Sequence, residues 1–168
     1  MTDLLRPDAY DRDFALFYAA HRRHNREADR ILTEHGMGRA HHRILFFLAT
    51  TPGMSVGELR TTLELSKQAL NPPLRTLLND GWVEATPSPA DRRRKQLRLT
   101  PQGRELEKRL RDAKLAPFAA ALAAAGPQAA AGWRTIMTTI ASDGLATLPP
   151  TLRGAADAPD ATGGTRED

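Results

Sequence analysis

Among the 168 residues there is no cysteine, which excludes disulfides, thiolate metal sites and any sulfur-based redox switch, peroxide sensing through a thiol included. Five histidines remain as the main nitrogen ligands. No apolar run approaches the roughly 20 residues that cross a bilayer, and the opening Met-Thr-Asp-Leu-Leu-Arg-Pro-Asp has no apolar signal core. A chain of this kind is expected to stay in the cytoplasm without a membrane partner. Also missing are a phosphate-cradling glycine loop, a metalloprotease histidine pair and any Ser, His and acid set that spacing supports. Neither an enzyme nor a cofactor is expected, and no residue is assigned a catalytic role.

What is present fits one folded domain of ordinary core, with 40% hydrophobic residues. The formal charge of +4 is unevenly placed. Positions 151–168 carry Arg153 and Arg166 against Asp157, Asp160, Glu167 and Asp168, so the rest of the chain is more basic than the total suggests. Between residues 66 and 98, Lys67, Arg75, Arg92, Arg93, Arg94, Lys95 and Arg98 face only Asp80, Glu84 and Asp91. That concentration favours a polyanionic partner; a solvated surface loop is the plainer alternative.

From Tyr10 to about Leu32, the residues Phe14, Phe17, Tyr18, His21, Asn25, Ala28 and Ile31 or Leu32 recur at three- and four-residue intervals, the spacing of one helical face. Gly36 and Gly38 end this helix. Arg39 to Thr50 follows as a mostly buried helix through Ile44, Leu45, Phe47 and Leu48, stopped by Thr51-Pro-Gly. Ser55 and Glu58 form a capping box for a short third helix with Val56, Leu59 and Leu63 inward, and Ser66 caps a fourth. Trp82-Val-Glu-Ala and Lys95 to Leu99 read as two strands of a hairpin with a long exposed tip. Thr100 and Pro101 start another helix, with Leu106 and Leu110 on its apolar face and Pro117 expected to kink or end it. Trp133, Ile136, Met137 and Ile140 mark a last helix. A disordered tail, rich in Gly, Pro, Ala and Asp, is expected from Pro149.

On the fourth helix, Leu70, Leu74, Leu77 and Leu78 point one way and Lys67, Gln68, Asn71, Pro72 and Arg75 the other. Gln and Asn pair bidentately with adenine, Arg with guanine, and Ser or Lys reaches phosphate. Taken singly, each is ordinary helix surface; the set is what suggests a DNA reader. Pro72 and Pro73 each remove a helical hydrogen bond at about 3 kcal/mol apiece. Either one kinked helix runs through them, or Asn71 caps a new helix beginning at Pro72; in both cases Pro72 offers apolar surface to a thymine methyl. At the hairpin tip, Arg92, Arg93, Arg94 and Lys95 can reach a phosphate ridge or the narrow minor groove. Asp91 is expected to hold one guanidinium in place.

Over roughly residues 10 to 145 the chain resembles the MarR-type winged-helix transcriptional regulators. The resemblance rests on Pro52-Gly-Met-Ser-Val-Gly-Glu-Leu59, Ser66-Lys-Gln-Ala-Leu-Asn71, Leu74-Arg-Thr-Leu-Leu-Asn-Asp-Gly-Trp-Val-Glu84, and Asp91-Arg-Arg followed by Leu99-Thr-Pro-Gln-Gly103. It implies a mainly α fold with a small β-hairpin wing: a winged helix-turn-helix plus a helical dimerisation region. It further implies a homodimer with recognition helices in successive major grooves of double-stranded DNA and wings in flanking minor grooves. Arg93 falls at the arginine of the family's wing motif Asp-x-Arg, and Asp91 at its acid. The expected division is residues 1–36 for the first dimerisation helix, 37–100 for the winged domain, 101–148 for the last dimerisation helices and 149–168 for the tail.

The resemblance also implies a small, often aromatic and acidic effector, bound where the dimer helices meet the winged domain. Phe17, His21, His41, His42, Arg43 and Phe46 are the candidates for such a pocket: imidazole and guanidinium donors over a floor of Phe17, Leu45 and Phe46. A metal shared by His21, His24 and His41 or His42 is an alternative use of the same residues, though no acid or cysteine has matching spacing. The leading expectation is a repressor of a pseudo-palindromic operator with half-sites about one helical turn apart. A protein-interaction module whose basic wing meets an acidic surface is the alternative from another class.

Overall fold

The computed structural model of the chain describes residues 7–88 and 95–141, together with 144, 150 and 153, and side chains from residue 11 onward. The hairpin tip with Asp91, Arg92, Arg93 and Arg94 lies outside the described residues, as does nearly all of the expected tail. Six helices and one hairpin follow in order among the described residues: α1 (Pro7–Glu34), α2 (Arg39–Thr50), α3 (Val56–Leu63), α4 (Lys67–Asn79), β1 (Val83–Pro87), β2 (Lys95–Leu99), α5 (Pro101–Ala125) and α6 (Pro127–Ala141).

Local chemistry sets the boundaries. The Ser55 hydroxyl accepts from the Glu58 N–H at 3.2 Å while the Glu58 carboxylate accepts from the Ser55 N–H at 2.7 Å, the reciprocal capping expected for α3. Ser66 Oγ accepts from Ala69 N–H at 3.1 Å and starts α4. Between α3 and α4, Glu64 takes φ 54°, a left-handed conformation uncommon for a residue with a side chain. The two prolines do not split α4, which is a single helix. Pro72 and Pro73 cannot donate to the carbonyls of Gln68 and Ala69, but both of those residues are exposed, so water can serve them, and burial of the Pro73 ring helps to offset the lost bonds.

Leucines from every layer meet in one core: Ile44 and Leu45 of α2, Leu59 of α3, Leu77 of α4, Leu97 of β2 and Leu110 of α5 are all buried. The antiparallel hairpin pairs Val83 with Leu99 and Ala85 with Leu97, and so sends Val83, Leu97 and Leu99 inward. Glu84 stands opposite Arg98 on the exposed side, a favourable cross-strand pair. Residues 53–55 line the other edge of β2: Gly53 N–H donates to the Leu97 carbonyl at 3.0 Å, Leu97 N–H donates to that of Met54 at 2.8 Å, and Ser55 bridges Gln96.

Two expectations need correction and two gain detail. The first strand begins at Val83 rather than Trp82 and extends to Pro87, which is tolerated because β1 is an edge strand and the missing N–H breaks no ladder. Val56 is 38% exposed, since it opens α3 at the end of the face that Leu59 and Leu63 bury. Of the two outcomes expected at Pro117, a kink or an end, the end is not the one found: α5 runs on through alanines of high helix propensity to Ala125. Only the second half of the α1 stripe is covered: Asn25, Ala28, Ile31 and Leu32 are buried, whereas Phe14 is 70% and Phe17 52% exposed.

Candidate nucleic-acid interface

Helix α4 divides sharply. Leu70, Pro73, Leu74 and Leu77 anchor it to the core, and Lys67, Gln68, Asn71, Pro72 and Arg75 are all exposed. Ser66 is exposed as well, and because its oxygen accepts the capping bond, its hydroxyl proton stays free to donate outward. The turn leading into α4 is tied from behind, for Arg43 Nη2 donates to the Leu63 carbonyl at 2.8 Å and satisfies one acceptor at the α3 C-terminus. Sequence reasoning placed Arg43 in an effector pocket and missed this role; nothing in the local sequence distinguishes it from a surface arginine.

The hairpin is fixed to its neighbours at the base. The Thr100 hydroxyl donates to the Gly81 carbonyl at 2.7 Å and accepts from Gly103 N–H at 3.0 Å, so one oxygen caps α5 and fastens the turn before β1. Gly103 packs so tightly here that a Cβ would sit 2.0 Å from the Trp82 carbonyl oxygen. On its other side the Trp82 ring meets His35 edge-on, with centroids 5.0 Å apart. The last residue of the motif Leu99-Thr-Pro-Gln-Gly103 thereby acquires a steric explanation.

The six effector candidates fall on two helices, Phe17 and His21 on α1 and His41, His42, Arg43 and Phe46 on α2. His41 Nδ1 accepts from the Gly38 N–H at 3.1 Å and serves as a cap for α2. Arg43 is turned to Leu63. Leu45, expected as pocket floor, is fully buried, and Phe46 packs edge-on against Phe47. His21 and Phe17 stack on the exposed half of α1 with centroids 6.5 Å apart. His42 is buried where α2 faces Lys114 and Asp29; desolvation, then the Lys114 charge, depresses its pKa to about 4, so it is neutral at pH 7. Burial likewise lowers the partly buried Lys114. Among the described residues, no three His, Asp or Glu side chains converge as metal ligands.

None of the six candidates lines either of two open clefts found among the described residues. One, of about 530 Å³, lies between the end of α2, the hairpin base and the start of α5, lined among others by Pro52, Glu84, Arg98, Arg104, Glu107 and Arg111. The other, of about 550 Å³, is bounded by Arg22, Arg23, Arg26, Asp29 and Arg39. Sequence reasoning passed over this second group, whose signal is Arg22 and Arg26 four apart on one helix.

A helix-turn-helix with an exposed polar face, backed by a hairpin and followed by a capped helix, defines a winged-helix protein. Its relatives narrow the class. A family model described as MarR family matches residues 35–94. The HTH-type transcriptional regulator PetP of Rhodobacter capsulatus is 44% identical over 123 residues, which span 73% of this chain and 74% of that protein. Among solved structures, YusO from Bacillus subtilis aligns with a TM-score of 0.61 at 20% identity, covering 82% of this chain and 98% of that one. A mutant of S. aureus MepR bound to an oligodeoxyribonucleotide aligns with a TM-score of 0.53 at 18% identity, covering 77% and 95%; likenesses this distant bear on the fold alone. The chain belongs to the MarR family. It is a DNA-binding transcriptional regulator and not an enzyme, and among the described residues no helix is long and apolar enough to cross a membrane.

Proposed function

We propose that the chain acts in the cytoplasm as a homodimeric, sequence-specific repressor that leaves a pseudo-palindromic operator when a small aromatic acid binds. The observation that carries the DNA reading is the division of α4, with every leucine-bearing position turned to the core or its edge and Lys67, Gln68, Asn71, Pro72 and Arg75 left exposed. In the major groove Gln68 and Asn71 would read adenine, Arg75 guanine and Pro72 a thymine methyl, with Ser66 and Lys67 on phosphate. Arg92, Arg93 and Arg94 would enter the flanking minor groove, one of them held by Asp91. The like-folded MepR mutant was captured on an oligodeoxyribonucleotide, which supports the same use of this scaffold.

Pairing of two chains is supported by apolar side chains that the chain itself leaves uncovered: Phe14, Phe17 and Tyr18 on α1, Leu115 on α5, and Ile136 and Ile140 on α6. Such a surface is what a self-complementary interface would bury. For the effector, Phe17, His21, His41, His42, Arg43 and Phe46 are the candidates; His41 and Arg43 each spend one nitrogen on a backbone group and keep others for a ligand. The neutral His42 ring beside Lys114 offers a donor for a carboxylate near the α1–α2–α5 junction. Coupling of about 1–3 kcal/mol between the two sites would make a working switch.

Titration of the DNA upstream of its own gene, with and without a panel of aromatic acids, tests this reading. Preference for that duplex over a scrambled one, weakened by at least one acid, is the expected result. Equal affinity for both duplexes would remove the sequence-reading claim, and indifference to the whole panel would remove the switch.

A further inference from the structure

The cleft formed by Arg22, Arg23, Arg26, Asp29 and Arg39 plays no part in the base-reading surface. Four arginines meet one aspartate there, and that aspartate is already engaged. Arg39 clasps Asp29 with Nε–Oδ1 at 3.1 Å and Nη2–Oδ2 at 2.8 Å, pinning the start of α2 to α1. Arg30, by contrast, lies outside the cleft and is answered on α1 itself by Glu27 and Glu34. Arg22, Arg23 and Arg26 are exposed or nearly so along α1. The Tyr18 ring is the aromatic neighbour, its centroid 6.0 Å from the Arg22 guanidinium carbon.

The lining is informative about the ligand. Without an apolar floor the cleft has nothing to bury an aromatic acid against, whereas several guanidinium groups spread over an open surface suit a row of phosphates. Its position in the fold points to the same partner. Arg39 and Arg43 are one turn apart on the same face of α2, about 6 Å between their Cβ atoms, and Arg43 is bonded to Leu63, the last residue of α3, just before the turn into α4. Helix α2 thus joins the cleft at its first residue to the helix-turn-helix one turn further on. On α1, Arg23 and Arg26 fall on the other side of the helix from Phe14, Phe17 and His21, so pairing of two chains through the apolar stripe leaves these two open, while Arg22, beside the Tyr18 ring, stands at the edge of the stripe.

We propose that this cleft is a second grip on the DNA backbone, in which Arg22, Arg23 and Arg26, braced by the Arg39–Asp29 clasp, neutralise phosphates beside those contacted by α4. The proposal rests on the DNA-binding reading above and adds a surface to it. Phosphate contacts carry no base information, so the cleft raises affinity for every duplex alike, while α4 supplies the preference.

The test uses the full chain with R22A, R23A and R26A combined, titrated against the duplex upstream of its own gene and a scrambled duplex of equal length over a range of salt. Loss of affinity by the same factor on both duplexes is expected, with the slope of log K against log salt reduced by about one for each arginine removed. The single charge reversal R26E should act in the same direction, R30A should change neither quantity, and an unaltered melting temperature separates the effect from unfolding. Wild-type affinity and slope in both the triple variant and R26E would overturn the proposal. The underlying reading fails separately, through a wild-type chain that binds both duplexes equally while still losing affinity in the triple variant; a wild-type chain that bound neither at low salt would sink both.

Discussion

The part built from α2 to β2 and the helical part built from α1, α5 and α6 treat their apolar residues in opposite ways. In the first, Ile44, Leu45, Leu59, Leu77 and Leu97 are at most 1% exposed, and one chain supplies everything that covers them. In the second, Phe14 and Ile140 remain 70% and 71% exposed although both stand on regular helices. The two kinds of surface follow from the same rule of helical spacing, so the pattern tells which residues share a face and leaves open what covers it. The α2–β2 residues close their core with Ala28, Ile31 and Leu32 of α1 and Leu106 and Leu110 of α5, whereas the outer faces of α1, α5 and α6 are left for the proposed second copy to cover. The proposed DNA reading sits on the first and the proposed pairing on the second, joined at Trp82, Thr100 and Gly103.

That junction gives the largest expected effect. Gly103→Ala places a methyl 2.0 Å from a backbone carbonyl that cannot rotate away, and a loss of about 3 kcal/mol or more is expected in chemical denaturation. Full wild-type stability would mean the two parts are not locked together there.

Acid should also weaken the α1–α2–α5 packing. His42 has its folded-state pKa depressed to about 4 from 6.5, so the unfolded chain takes up the proton first. The stability this ring contributes is therefore complete above about pH 6.5 and declines as pH falls towards 4, with an upper limit of about 3 kcal/mol. Lys114 favours the neutral ring and Asp29 opposes it. Denaturation curves between pH 7 and 4.5 should be flatter with pH in His42→Leu than in the wild type, and parallel curves would contradict the assignment.

Phe17→Asp probes the other side of the comparison. The change puts a charge on an exposed position and should leave the melting of a single chain nearly unchanged, while weakening association by about 2 kcal/mol, roughly thirtyfold. Dilution series by sedimentation would measure it. A smaller effect is expected from Thr100→Ala, about 1 kcal/mol, because the cap and the Gly81 bond are lost together at a partly solvated site.

Much of the α2–β2 part was legible before any coordinates. The bounds of α2, the Ser55–Glu58 box and the Ser66 and Thr100 caps depend on neighbours a few residues apart, and such local signals are written directly in the order of residues. The exposed face of α4 was also legible, since its leucines fix the opposite side. What could not be read depends on contacts between distant segments: residues 53–55 pairing with β2, Arg43 reaching the α3 C-terminus, and Gly103 seated under Trp82. Within the candidate effector set, the backbone bonds of His41 and Arg43 were not legible, because a polar side chain on a helix start has backbone partners nearby that composition does not reveal.

Counting protein chains per duplex at saturation, by sedimentation of the complex formed with a minimal operator, addresses both halves of the molecule in one step. Two chains per duplex, appearing together without a populated one-chain species, is the result the uncovered α1, α5 and α6 surface and the exposed face of α4 lead one to expect. A saturated complex holding a single chain would contradict it.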